Sequence, residues 1–132
     1  MEELLVEAKL ENMDTVVDFI NARLVDCNKK TQNQIGIAVD EVFSNIVHYA
    51  YTPEVGKAIV RIAVDSEVIA IEFEDNGIEY NPLFEKEPDI TSSVEEREIS
   101  GLGVFMLKNI MDSVEYKRKN SKNILTIKKN KI

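Results

Sequence analysis

Asp40-Glu41-Val42-Phe43-Ser44-Asn45-Ile46-Val47-His48 is the stretch around which the rest of the chain is organised. On a helix turning about 100° per residue, Glu41, Asn45 and His48 fall within roughly 60° of one another. Ile35, Val39, Val42 and Ile46 form a second stripe, centred roughly 130° away. Such a helix buries one side in a core and offers a carboxylate, an amide and an imidazole along another. Carboxylate and amide oxygens are the hard ligands that magnesium uses alongside substrate phosphates. A carboxylate there can also orient or deprotonate a nucleophile. Alone, the same stripe equally fits a solvated helix face with a structural histidine.

Working outward, Thr31 and Gln34 form a capping box that predicts where this helix starts, and it runs to about Tyr51, before Pro53. Upstream, residues 2–10 read as a strand. Residues 13–27 carry Met13, Val16, Val17, Ile20 and Leu24 at helical spacing. Downstream, residues 57–65 alternate, with Ala58, Val60, Ile62 and Val64 on one face and Ile59, Arg61, Ala63 and Asp65 on the other. A tight turn at Ser66-Glu67 leads into a strand over 68–74. Residues 77–101 hold Gly77, Pro82, Pro88 and Gly101, many acids and little periodicity, as functional or mobile loops do. A third helix is predicted over about 102–111. A hairpin follows, with strands over 113–119 and 123–129 across Asn120-Ser121-Lys122. Helices and strands come in clumps, which favours a two-layer α+β sandwich with a largely antiparallel sheet.

Two further clusters carry polar chemistry. Asp75-Asn76-Gly77 ends the second central strand. It reads as a turn, or as a buried carboxylate accepting a hydrogen bond from an exocyclic amine beside a glycine that allows close approach. Ser100-Gly101-Leu102-Gly103 precedes a helix. It reads as a hinge and helix start, or as backbone N–H groups offered to phosphates.

The chain has 132 residues, enough for one domain over 1–132 with a core of its own. Its net charge of −8 argues against nucleic acid as the main partner. From Lys117 onward there are seven Lys/Arg and no acid, so the first 116 residues hold 9 basic against 24 acidic side chains. The basic end reads as an edge hairpin guarded by lysines, or as a docking surface for an acidic partner or for phosphates. Cys27 is the only cysteine, which excludes an internal disulfide and a Cys-rich zinc site and fits a cytoplasmic setting. No run of about 18 apolar residues is present to span a membrane, and the acidic N-terminus does not read as a signal peptide.

The clusters occur in a telling order: helix E-x-x-x-N-x-x-H, strand D-x-G, acidic loop, G-x-G and helix. In that order the chain resembles the GHKL ATPases, whose Bergerat fold is shared by gyrase-type ATPases and histidine kinases. It is more closely similar to the anti-sigma-factor serine/threonine kinases of bacteria. The matching stretches are DEVFSNIVHYAY, DNGIEYNPL and EPDITSSVEEREISGLGVFMLKNIMDSVEY.

The resemblance implies an α+β fold: a two-layer sandwich whose mixed, largely antiparallel sheet is covered on one face by three helices. It implies ATP and Mg2+ as cofactors. Glu41 would be the general base or a water-orienting carboxylate, and Asn45 would hold the metal that bridges the ATP phosphates. Asp75 would bind the adenine amino group, and Gly77 would let the purine approach. Gly101, Leu102 and Gly103 would wrap the phosphates, and residues 83–100 would form an ATP lid in which Arg97 either reaches a phosphate or pairs with Glu95 or Glu98. The implied activity is phosphorylation of a serine or threonine on a small antagonist protein. The implied partners are that antagonist, a sigma factor and a second copy of the chain.

The resemblance leaves two other readings open: a non-catalytic ATP-dependent partner-switching module, and a sensor-kinase ATP-binding domain working in trans. The chain departs from the wider family at three places. Glu79 and Ser100 stand where glycine is common. Lys122-Asn123 replaces the Gly-Thr pair before the last strand, so the adenine-side threonine has no counterpart.

Overall fold

The computed structural model describes residues 1–50, 56–81 and 102–131. In chain order the elements are β1 (Glu2–Glu7), α1 (Met13–Asn21), α2 (Lys29–Asn45), β2 (Lys57–Val64), β3 (Val68–Asp75), α3 (Leu102–Ile110), β4 (Ser113–Lys119) and β5 (Lys122–Asn130). A 3₁₀ turn, Leu10–Asn12, leads into α1, and a π-helical turn, Ile46–Ala50, continues α2. Among the described residues, five strands form one sheet in the order β1-β2-β3-β5-β4, and their four pairings are antiparallel.

Alternation decides which face of the sheet meets the helices. Ala58, Val60 and Ile62 of β2 are buried, as are Ile69, Ile71 and Phe73 of β3. They join Leu125 and Ile127 of β5 and the apolar stripe of α2, Ile35, Val39, Val42 and Ile46, in one core. Buried Val16 and Ile20 bring α1 into it, and Leu107 does the same for α3. The α+β two-layer architecture is thus as expected.

Several boundaries differ from the sequence reading. The first strand ends at Glu7 and not at residue 10, because Lys9 and Asn12 enter the 3₁₀ turn and the Asn12 amide donates to Glu7 O at 2.9 Å. The first helix stops at Asn21, not at residue 27. Arg23 N bonds Ile20 O and Leu24 N bonds Asn21 O, tight turns that still bury Leu24 completely. The Gln32 side-chain amide then donates to the carbonyls of Leu24 at 2.8 Å and Cys27 at 2.9 Å, which fastens this turn to α2.

Helix α2 also starts earlier than Thr31. Its N-cap is Asn28, whose Oδ1 accepts from Thr31 N at 2.8 Å, so Thr31 lies inside the first turn and is buried. The C-terminal hairpin turns on two residues rather than three. Asn120 and Ser121 have φ of 53° and 62°, and Lys122 pairs with Lys119. Positive φ at both central positions matches the right-handed twist of the flanking strands.

Candidate functional site

The last two turns of the α2 segment lie over the C-terminal end of β3, and a cavity opens between them. About 420 Å³ of space lies between its walls and its open mouth, of which about 30 Å³ is deep enough to hold the centre of a water-sized sphere. Its walls are largely apolar, with Ile46, Phe73, Leu107 and Leu125 among them. The polar groups that reach it are Asn45, Asp75, Tyr80, Tyr116 and Asn123. Few polar groups in an apolar cleft is the pattern of a site that fixes ligand orientation.

Asp75 reaches the cavity because the alternation of β3 carries it there. The inward positions Ile69, Ile71 and Phe73 continue to Asp75, which β3 includes as its last residue. The carboxylate is only 5% exposed. Its Oδ1 accepts from Gly77 N and from Asn123 Nδ2, both at 2.9 Å. Its Oδ2 has no hydrogen-bond partner among the described residues. Burial pushes the Asp75 carboxyl above its ordinary value, and Glu74 adds to this; the Asn123 and Gly77 hydrogen bonds and the Arg118 guanidinium oppose it.

Gly77 has a packing reason for its missing side chain. A Cβ built there would lie 2.3 Å from Ala50 O and 2.6 Å from Ala50 Cβ. Ala50 closes the π-helical turn, and its carbonyl, one of the unpaired carbonyls at a helix end, accepts from Ile78 N at 3.1 Å. Tyr49 and Tyr80 stack across the same seam with ring centroids 4.9 Å apart. The end of α2 and the turn after β3 are therefore one packed unit beside the cavity.

Glu41 and Asn45 are neighbours as their spacing predicts: Asn45 Nδ2 donates to Glu41 Oε1 at 3.1 Å. This orients the Asn45 amide and leaves its Oδ1 with no protein partner among the described residues. A hard oxygen so presented at the wall of the cavity fits a magnesium ligand. Glu41 itself lines an adjoining groove with Asp40, Ser44 and Met106, which shares Leu107 with the main cavity. His48 lies on the π-helical turn that follows Asn45 and is exposed, edge-on to Tyr49.

The sequence reading did not assign Asn123. It lies directly opposite Asp75 across β3 and β5 and is 5% exposed. The absence of the expected threonine was the signal at that position. Leu102 and Gly103 open α3. Gly101, Arg97 and the lid over 83–100 lie outside the described residues, as do Tyr51 and Pro53.

The chain is similar to known proteins. The serine/threonine-protein kinase BtrW of Bordetella bronchiseptica is 27% identical over 92 residues, covering 69% of this chain and 65% of that protein. The serine-protein kinase RsbW of Bacillus mycoides is 28% identical over 96 residues, covering 70% of this chain and 60% of that protein. The matches thus span less than two thirds of the length of these relatives. Among solved structures, the mycobacterial sensor histidine kinase MprB superposes with a TM-score of 0.56 at 16% identity, covering 98% of this chain and 97% of that one. Such a likeness speaks for the fold. The description of the histidine kinase-like ATPase domain matches residues 6–129, nearly the full length, and the chain belongs to that family.

Proposed function

We propose that the protein binds Mg-ATP in the cavity between α2 and β3 and transfers the γ-phosphoryl group to a serine or threonine of a small antagonist protein. In this reading it also sequesters a sigma factor, acts as a homodimer and works in the cytoplasm. The observation that carries the reading is the placement of Asp75. A buried carboxylate with one oxygen tied down and the other unpartnered stands across an apolar cleft from Asn45 Oδ1. The names of the BtrW and RsbW relatives support a protein serine/threonine kinase.

Each residue has a defined task. Asp75 Oδ2 accepts from the amino group of adenine, and the apolar walls exclude water from the ring. Asn45 Oδ1 holds the metal, while Glu41 keeps the Asn45 amide turned that way. Magnesium, when bound, neutralises charge on the phosphate oxygens. Glu41 takes the proton of the incoming hydroxyl. The resemblance assigns the phosphates to Gly101, Leu102 and Gly103 at the start of α3. Phosphoryl transfer depends mainly on positioning and charge stabilisation, so this small set suffices.

One observation favours a second reading, a partner-switching module that holds ATP without transferring it: Glu41 lines the groove beside the cavity that Asp75 lines. Labelled ATP separates the two. Incubated with a serine-bearing antagonist, a kinase yields an acid-stable phosphoprotein. A module retains ATP and labels nothing, which would overturn the catalytic reading.

A further inference from the structure

Asn123 is held by hydrogen bonds at both ends of its amide beside the cavity. Its Nδ2 donates to Asp75 Oδ1 at 2.9 Å and to Ile78 O at 2.7 Å. Its Oδ1 accepts from Tyr116 Oη at 2.6 Å, from an Arg118 guanidinium nitrogen at 3.0 Å and from Tyr80 N at 3.3 Å. The same guanidinium nitrogen donates to Gly77 O at 2.9 Å. Both hydrogens of the amide are thereby used, and its oxygen is saturated. Asn123 has nothing left to offer a ligand directly, although it lines the cavity. What it does is local and mechanical. One hydrogen turns the Asp75 carboxylate so that the shared oxygen faces β5. The other, with the Oδ1 contacts, ties the turn over 77–80 to the β4–β5 hairpin.

We propose that Asn123 is a positioning residue for nucleotide binding: it ties Asp75 Oδ1 to β5 and leaves Oδ2 for the base. The inference rests on the ATP-binding reading above. It differs from a general stabilising role because a hydrogen bond to Oδ1 favours the ionised carboxylate. The other charged and titratable groups that act on Asp75 are Arg118 and Glu74. Tyr116 faces it from β4, and Glu79 acts on Tyr116. From the α2 side the wall is apolar apart from the Asn45 amide. Removing Asn123 therefore leaves Arg118 and the Gly77 N–H to oppose burial, and the carboxylate takes up its proton at a higher pH.

The consequence is a pH signature. Only the ionised carboxylate accepts at both oxygens, so affinity for ATP falls as pH is lowered through the Asp75 titration. With Asn123→Ala, the acidic fall in affinity moves to higher pH than in the wild type. Affinity at neutral pH drops about tenfold, the effect of one lost hydrogen bond to a charged group. Asn123→Asp preserves the shape and the acceptor contacts but removes the donor and adds a second carboxylate, so it shifts the acidic fall further in the same direction.

The experiment is calorimetric titration of wild type, Asn123→Ala and Asn123→Asp with Mg-ATP between pH 5 and 8. Circular dichroism identifies which variant remains folded, and either one suffices. A displaced acidic fall supports the proposal. A fall at the wild-type pH, with affinity equal or lowered uniformly, overturns it and leaves Asn123 a structural residue. Absence of binding by the wild type would instead overturn the ATP-binding reading.

Discussion

Gly77 lies against the backbone of Ala50, so closely that a Cβ at position 77 would come within 2.3 Å of the Ala50 carbonyl oxygen. Two elements distant in sequence, the end of α2 and the turn after β3, meet there with no room for a methyl group. The nearest obstructing atom is the backbone oxygen of Ala50, which also accepts from Ile78 N, and the next is the Ala50 Cβ fixed to the same backbone, so neither can rotate aside. Gly77→Ala is expected to destabilise the protein by about 1–3 kcal/mol, as overpacking does. Because Asp75 Oδ1 is bonded to Gly77 N, ATP affinity should fall with it. Thermal melting and nucleotide titration of this variant check both effects.

Asp75 sets stability against function. Its carboxyl titrates above the ordinary value when folded, first because it is buried. The folded state therefore favours the protonated form. The contribution to stability is fully present below the unfolded value of about 4 and is lost as pH rises through the folded value. At neutral pH the ion is a cost to the empty protein. Asp75→Asn removes that cost, and its carbonyl oxygen can still accept from Asn123 and Gly77. The ligand-free variant should melt at or above the wild-type temperature at pH 7, with the difference vanishing toward pH 4. A large drop in melting temperature would show that the charge is structural.

The hairpin turn gives a prediction independent of the site. Ser121 adopts φ of 62° in a two-residue turn, a conformation that glycine takes without steric cost. Ser121→Gly should stabilise the protein by about 0.5–1 kcal/mol, once glycine's extra freedom in the unfolded chain is set against the relieved strain. Chemical denaturation midpoints measure this, and nucleotide affinity should not change.

Glu41 and Asn45 should separate by their variants. Glu41→Gln keeps size and polarity but cannot take a proton, so phosphoryl transfer should fall by roughly 10²–10⁴ while ATP binding changes little. Asn45→Ala removes the only amide oxygen that α2 presents at the cavity, so metal-dependent binding and transfer should decline together. Transfer assays beside titrations with and without magnesium provide the test. Undiminished transfer by Glu41→Gln would remove it as the base.

Much of this arrangement is legible in the residues, and its limits have physical causes. Period-2 alternation along 58–64 and 68–74 selects the buried face, and continuing the strand by one residue puts Asp75 inside. Helical spacing places Ile35, Val39, Val42 and Ile46 in the core and sets Glu41 beside Asn45. Where tertiary contacts decide, local pattern misleads. Thr31-x-x-Gln34 satisfies a capping pattern, yet Asn28 caps the helix, and Gln32 fastens the preceding turn to it. Apolar spacing persists to Leu24 although α1 has ended, because the turns after Asn21 bury that side chain as a helix would. The π-helical turn that carries His48 has no spacing signal of its own. Asn123 is recognisable only once β5 is registered against β3.

The measurement that bears most directly on the central claim is calorimetric titration of Mg-ATP into the wild type and into Asp75→Asn at neutral pH. The account predicts saturable binding at one site per chain by the wild type. It predicts a loss of about 1–3 kcal/mol in the variant, because an amide in place of the carboxylate weakens a buried, charge-assisted bond to the adenine amine. Equal affinity in the two proteins, or no binding by the wild type, would contradict it.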